Sequence, residues 1–307
     1  MSSRETVSAR VPDEAAGRRV DRYIADELDL FPRSQIAHRD VVVRVGGRVC
    51  KLSHRLKPGE LVEVEFSPPA DAAIDAEPVP LDIIFENDDV VVVNKPAGMV
   101  VHPAAGNRHG TLAQGLMHHV RTLASAFDDT ARPGIVHRLD KDTSGVIIAA
   151  KHPQALAELA AQFKQHTTEK RYLAIVKGTL PRSHGTVEAA IGRDPRNRKR
   201  FAVVEHGGKE AITRYRVLRH YDRYSFVSLS PKTGRTHQLR VHMTSLGCPI
   251  VGDPLYSRPD ARFPDLGLAL HAYRLRILLP GEREARWFTA RLPDRFRRAL
   301  RVASDPA

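Results

Sequence analysis

Gly145-Val146-Ile147-Ile148-Ala149-Ala150 is the stretch that most narrows what this chain can become. A short apolar run bounded by turn formers on one side and Lys151 on the other reads as a strand buried in a sheet. It is preceded by a dense polar string, His137-Arg138-Leu139-Asp140-Lys141-Asp142, and by the turn formers Thr143 and Ser144. The pattern predicts a charged loop, residues 137–144, held against a rigid strand, and catalytic groups are commonly carried in such loops. Taken alone, Arg138-x-Asp140 reads as a solvated turn with a weak surface ion pair. The rest of the chain decides between the two.

With 307 residues, 42% of them hydrophobic, the chain can build one large core or two domains. No apolar run approaches the roughly 20 residues of a membrane span. Residues 1–6 lack the apolar core of a signal peptide, and two cysteines make neither a disulfide framework nor a zinc set. These features predict a cytosolic protein with no membrane partner. The formal charge of +12 favours a polyanion, without choosing between nucleic acid and membrane.

Residues 1–16 are expected to form a tail and residues 17–66 a small module. Val20, Ile24 and Leu28 share one helical face, and Ser34 is placed to cap a second short helix. Val41–Val49 reads as a hairpin turning at Gly46-Gly47, and Val62, Val64 and Phe66 alternate with charge as a strand should. Arg33, His38, Arg39, Arg44, Arg48 and Lys51 are spread across this module. Two helices followed by a hairpin-bearing sheet, with the steps Arg33-Ser34-Gln35 and Val45-Gly46-Gly47-Arg48-Val49, resemble the S4-type RNA-binding domain. The resemblance implies RNA contacts from Arg33, Arg44 and Arg48. The proline-punctuated segment 67–80 reads as a linker.

A larger domain is expected over 81–303. Strands flank the Glu86–Asp89 turn, the second ending at Asn94-Lys95-Pro96, with Lys95 and His102 read as structural. Helices are expected over Thr111–Val120 and Pro153–His166, and strands over Thr168–Gly178, Lys209–Tyr215 and Tyr224–Ser230. His118 and His119, adjacent on a helix, cannot share a metal and are read as surface residues. Gly192–Arg200 concentrates Arg193, Arg196, Arg198, Lys199 and Arg200 against one acid. It is either a solvated loop or a phosphate-contacting arm that orders on RNA. In Thr233–Met243, Gly234 permits a turn, Thr236 is expected to cap the following helix, and Leu239, Met243 and Leu246 to line its buried side.

His137-Arg138-Leu139-Asp140 with Thr143-Ser144-Gly145 resembles the signature of the RluA/RluD family of RNA pseudouridine synthases. Asn94-Lys95-Pro96, Lys170-Arg171-Tyr172, the Thr233–Met243 segment and Cys248–Tyr256 follow in the family's order, so the likeness runs from about Leu81 to Pro293. It implies an α+β fold, a small S4-like module followed by a large mixed, mostly antiparallel sheet with flanking helices. It also implies Asp140 as the catalytic carboxylate, Tyr172 against the target base, and Arg240 paired with Asp140, a guanidinium able to hold the carboxylate bidentately. Arg138 would fill the gap left by a flipped base, with Arg235 and His237 as further RNA contacts. Moving a glycosidic bond from N1 to C5 needs no redox change or phosphate transfer, so no cofactor and no metal are implied. The implied partner is RNA, ribosomal or transfer, and the protein a monomer. Two rivals stay open: a metal-dependent RNA hydrolase using Asp140, Asp142, His137 and Asp128, and a non-catalytic S4-type RNA-binding protein.

Overall fold

The computed structural model describes residues 4–28, 30–31, 36, 40–66, 75–103, 106–121, 123–127, 133–197 and 200–305. The chain divides into two compact units, residues 1–73 and 74–307.

The first unit contains β1 (Glu5–Arg10), a 3-10 turn (Asp13–Ala15), α1 (Val20–Asp26), β2 (Val42–Val45), β3 (Arg48–Val49) and β4 (Leu61–Phe66). Its sheet runs β1-β4-β2-β3 with all pairs antiparallel. The alternation in β4 buries Val62, Val64 and Phe66, and α1 lays Val20, Tyr23 and Ile24 against them. Gly46 and Gly47 both take positive φ, as a tight two-residue hairpin turn requires. Residues 5–10 are not a tail: they pair with β4 over its whole length. Glu5-Thr-Val-Ser-Ala-Arg carries one large apolar residue, too weak an alternation to announce a strand. Of the second helix expected after Ser34 only Ile36 is described, helical and buried, and most of the expected linker, 67–74, lies outside the described residues. Residues 75–80 belong to the second unit, where the Glu77 carboxylate accepts the Gly110 N–H and the Gln114 side-chain amide.

The second unit is an α+β domain. Its elements are β5 (Ile83–Glu86), β6 (Val90–Lys95), α2 (Leu112–His119), α3 (Leu123–Ala126), β7 (Ser144–Ala150), α4 (Pro153–Lys164), β8 (Glu169–Lys177) and β9 (His184–Glu188). They continue with β10 (Ile191–Arg193), β11 (Phe201–Val203), β12 (Ile212–His220), β13 (Tyr224–Pro231), α5 (Gln238–Ser245), β14 (Leu270–Ile277), β15 (Arg286–Thr289) and α6 (Asp294–Ser304). Nine strands form one sheet in the order β5-β6-β7-β14-β8-β13-β12-β9, with β15 pairing β14. Every neighbouring pair is antiparallel except β7 with β14.

β7 is buried along its entire length, as its unbroken apolar run demands. Gly145 makes the parallel seam possible. Its φ is +120°, and a Cβ there would sit 2.2 Å from the Ala272 carbonyl oxygen. Val91, Val93, Ile147 and Ala149 pack on Leu112 and Leu116 of α2; Ala174, Val227 and Leu229 pack with Leu239 and Met243 of α5. The Thr111 hydroxyl caps α2, with Gln114 answering in a capping box. His118 and His119 are exposed.

Candidate active site

The polar string before β7 is folded down by a buried lysine. Lys95 has no exposed surface, and its ammonium donates to the carbonyls of Pro96 (2.8 Å), Met99 (2.8 Å) and Lys141 (3.0 Å). Burial pushes its pKa down to about 8, against the pull of Asp142 and Asp140. Lys95 therefore ties the end of β6 to the residue after Asp140, a structural role as the sequence suggested. On the other side of the loop, His137 Nε2 accepts the Ile148 N–H at 3.0 Å and its ring stacks on Phe163 at 4.5 Å. Burial, with nearby Lys170, drives the His137 pKa down to about 3, so the imidazole is neutral. Both anchors are local to the sheet, and between them Asp140 stands half-buried at the mouth of a cleft.

The cleft has a volume of about 680 Å³ and gathers Arg138, Asp140, Tyr172, Arg235, His237 and Arg240. That size is ordinary for a small-ligand site. Arg240 projects from the first turn of α5, where Gln238 is pinned by the Thr233 hydroxyl and the Arg235 N–H. Its Nη1 donates to Asp140 Oδ2 at 3.1 Å. The expected bidentate grip on Asp140 is absent: the fork closes on Asp253 instead, with Nε to Oδ2 at 2.7 Å and Nη2 to Oδ1 at 2.9 Å. The reason is geometric. The Asp253 carboxylate is fully buried and also accepts the Leu255 and Tyr256 N–H groups at 2.9 and 3.1 Å, so it is fixed before Arg240 arrives. Burial would lower the Arg240 pKa, but the hydrogen bonds and charges of Asp253 and Asp140 outweigh it and raise it. The guanidinium also lies over the Tyr256 ring at 5.1 Å.

Tyr172, on β8, lines the cleft beside this pair. Burial and the Asp140 charge both push its phenol pKa up, so it is a proton donor at neutral pH. His237 sits at the N-terminus of α5 with φ +56°, and no side chain caps the helix; Thr236 does not, and Gly234 does not take a left-handed conformation. The left-handed turn at His237 brings its Nδ1 to within 3.0 Å of the Tyr256 hydroxyl and its Nε2 to 4.0 Å from Asp140 Oδ2. Burial lowers its pKa, partly offset by Asp140. Arg138 is exposed at the rim, and Arg235 donates through Nε to the Glu210 carbonyl at 3.0 Å.

The basic segment 192–200 is the tip of a two-stranded hairpin, β10 with β11. Arg193 covers Phe201 at 4.5 Å and Arg200 covers Tyr256 at 4.9 Å, while Arg196 is exposed. The Phe201 N–H donates to the Tyr256 hydroxyl at 2.8 Å, so the hairpin is joined to the residue that supports His237 and Arg240. Arg198 and Lys199 lie outside the described residues, as does Arg33. In the first unit, Arg44 pairs with Glu65 at 2.8 Å, and Arg48 lines a shallow depression with Cys50, Lys51 and His54. Asp253 and Tyr256 are the site residues to which sequence reasoning gave no role. A lone acid in the apolar, proline-flanked run Ile250–Leu255 was the available signal.

Among the described residues no three His, Cys, Asp or Glu side chains are gathered as metal ligands. No helix among them is long and apolar enough to cross a membrane.

A carboxylate held by a single guanidinium N–H, beside a protonated phenol and ringed by arginines, defines an enzyme site for a polyanionic substrate. The RNA pseudouridylate synthase family profile matches residues 89–245. Ribosomal large subunit pseudouridine synthase D of Borreliella burgdorferi is 41% identical over 285 residues, covering 91% of this chain and 87% of its own. The uncharacterized RNA pseudouridine synthase YlyB of Bacillus subtilis is 40% identical, covering 92% and 93%. Among solved structures, human RNA pseudouridylate synthase domain containing 1 superposes with a TM-score of 0.57 at 28% identity, covering 76% of this chain and 99% of its own. The chain belongs to the RluA/RluD family of RNA pseudouridine synthases and is an isomerase acting on RNA.

Proposed function

We propose that this protein isomerises uridines of large-subunit ribosomal RNA, with Asp140 as the catalytic carboxylate. The observation that carries the reading is the 3.1 Å bond from Arg240 to Asp140 in the cleft. It sets a fixed cation and one hydrogen-bond donor against the carboxylate at the place a flipped nucleotide would enter. Tyr172 packs against the uracil and Arg138 occupies the space the base vacates, offsetting part of the few kcal/mol that flipping costs. The ribosomal substrate is supported by relatives named ribosomal large subunit pseudouridine synthase D in Borreliella burgdorferi and Neisseria meningitidis. The first unit acts as an S4-type RNA-binding module, with Arg33, Arg44 and Arg48 toward the RNA, and the hairpin residues Arg196, Arg198, Lys199 and Arg200 add phosphate contacts. The protein works as a cytoplasmic monomer. Of the ligands the hydrolase reading offers, His137 has its Nε2 taken up by the Ile148 N–H, and Asp128 lies outside the described residues.

The test is a map of pseudouridine across total RNA from cells with the wild-type protein, without it, and with Asp140→Asn. Sites in large-subunit RNA should vanish in both altered strains. Loss only from transfer RNA would overturn the substrate, and persistence of every site in the Asp140→Asn strain would overturn the carboxylate.

A further inference from the structure

Arg171 and Tyr172 are consecutive on β8 and so point to opposite faces of the sheet. Tyr172 enters the cleft, and Arg171 belongs to the face behind it. The strand registers carry that position across six strands. Thr186 of β9 pairs with Arg214 of β12, and Arg214 with Ser230 of β13. The register that sets Leu229 beside Tyr172 brings Ser230 alongside Arg171. Arg171 pairs with Arg274 of β14, and Arg274 with Thr289 of β15.

The result is one cross-strand row of three arginines and three hydroxyls, without an acid. Thr186, Arg214, Arg171 and Thr289 are exposed, and Arg274 and Ser230 half-buried. At about 4.8 Å per strand the row spans about 24 Å.

Arg171 and Arg274 stand directly opposite each other, an arrangement of like charges that weakens a sheet. Neither meets a carboxylate among the described residues. Arg171 rests on the ring of Trp287, the chain's only tryptophan, at 4.8 Å, and Arg274 donates to the Thr289 hydroxyl at 3.0 Å. Those supports hold the two guanidinium groups in place without neutralising them. Arg216, one step along β12, is a further exposed cation on the same face; of the acids on that face nearby, Glu169 is taken by Arg276, and Glu188 lies one step from Thr186 along the edge strand β9.

We propose that this row is a second RNA-binding surface, on the side of the sheet away from the active site, that takes the phosphate backbone of a duplex segment. Charge complementarity selects a polyanion. The ring beside the row, Trp287, is half-buried beneath Arg171, which leaves no open platform there for stacking single-stranded bases. Guanidinium and hydroxyl donors without base-reading side chains suit phosphates, the part of an RNA helix recognised by shape. A structured RNA would then be held on both faces of the domain while its target uridine occupies the cleft. The inference rests on RNA as the substrate class and not on which RNA is modified.

The test is filter binding of the full chain to an RNA duplex of about 20 base pairs, over a salt series. Wild type is compared with Arg171→Gln/Arg214→Gln/Arg274→Gln and with a charge-matched, scattered control, Arg223→Gln/Arg283→Gln/Arg301→Gln. Removing three phosphate contacts should lower the slope of log affinity against log salt by about 2–3 and weaken binding about tenfold or more. The control should move both much less. Because binding is read without turnover, a wrong ribosomal assignment would leave this result standing. Equal behaviour of the two triple variants overturns the proposal. So does loss of binding to phosphatidylserine vesicles with duplex binding intact, which would make the strip a membrane face. Should the strip variant fail to fold, photocrosslinking of the wild type to the same duplex decides: crosslinks at Arg171, Arg214, Arg274 or their neighbours on the same face support the surface, and crosslinks confined to the cleft face or to other elements refute it.

Discussion

Asp253→Asn is the substitution that most directly probes how the site is built. The Asp253 side chain has no exposed surface, and its four accepted hydrogen bonds come from Arg240 Nε and Nη2 and from two backbone N–H groups. An asparagine of the same shape has one oxygen to give. If that oxygen keeps the Leu255 and Tyr256 N–H groups and Arg240 Nη2, its amide nitrogen must face Arg240 Nε across the 2.7 Å now spanned by a hydrogen bond. Donor would then meet donor, and a buried guanidinium would lose its nearer counter-charge. Removing one partner of a buried ion pair costs about 3–5 kcal/mol. For a domain of this size that is a fall in Tm of roughly 6–20 °C. Arg240 would also be drawn toward Asp140, its remaining carboxylate, and a displacement of about 1 Å near the reacting atoms costs about a hundredfold in rate. The assay is thermal unfolding by circular dichroism alongside single-turnover pseudouridine formation. A variant with wild-type Tm and wild-type turnover would show that Asp253 does not hold Arg240, and the geometry of the pair would need another account.

Asp140→Asn should behave in the opposite way, losing turnover while Tm stays within about 2 °C, because the half-exposed carboxylate meets one protein donor; substantial turnover in the purified variant would remove Asp140 from the chemistry. Arg240→Lys should lose about a hundredfold or more in single-turnover rate with RNA affinity and its salt dependence nearly unchanged, since a point charge cannot serve Asp253 and Asp140 together; wild-type turnover would refute it. Gly145→Ala should cost at least about 3 kcal/mol in denaturant unfolding, because its Cβ would meet the Ala272 carbonyl in a conformation closed to alanine. His271 is fully buried and burial lowers its pKa to about 4, so below pH 6.5 the unfolded chain takes a proton that the folded one refuses. Stability should therefore fall on acidification, by about 2 kcal/mol between pH 6.5 and 5 from this residue alone; a denaturant midpoint that does not fall between pH 7 and 5 would contradict it.

What could be read from residues alone followed from how local the signal was. β7, β4, α2 and the hairpin at Gly46-Gly47 carry their period or turn chemistry within a few residues, and the structure has them where the pattern placed them. β1 was illegible because Glu5 and Ala9, which share the face of Val7, leave it without large apolar company, and its pairing with β4 is a long-range event. The cleft behaved likewise. Asp140, Tyr172 and Arg240 converge from a loop, a strand and a helix, and their motifs marked them. Their support did not show, because nothing in the spacing of Arg240 and Asp253 says that the rest of α5 and the turn after it fold one back onto the other. The left-handed His237 was hidden for a related reason. Glycine is the usual signal for positive φ, and here Gly234 stands three residues too early.

The division of Arg240 between two carboxylates answers a conflict that a simple ion pair leaves unsolved. A catalytic carboxylate has to stay ionised as the substrate excludes water, which favours a close cation. It must also keep an oxygen free for the substrate, which a bidentate clamp would deny. Here the two-donor fork is spent on Asp253, itself pinned by the Leu255 and Tyr256 N–H groups, and that fixes the guanidinium plane. The remaining Nη1 gives Asp140 one hydrogen bond and the full influence of the charge. Among the described residues Asp140 accepts from no other donor, so its second oxygen is open to the cleft that Tyr172 and Arg138 line. Orientation and availability are thus supplied by different carboxylates sharing one arginine. This also explains why Asp253 is the fully desolvated partner and Asp140, which faces the cleft, is not.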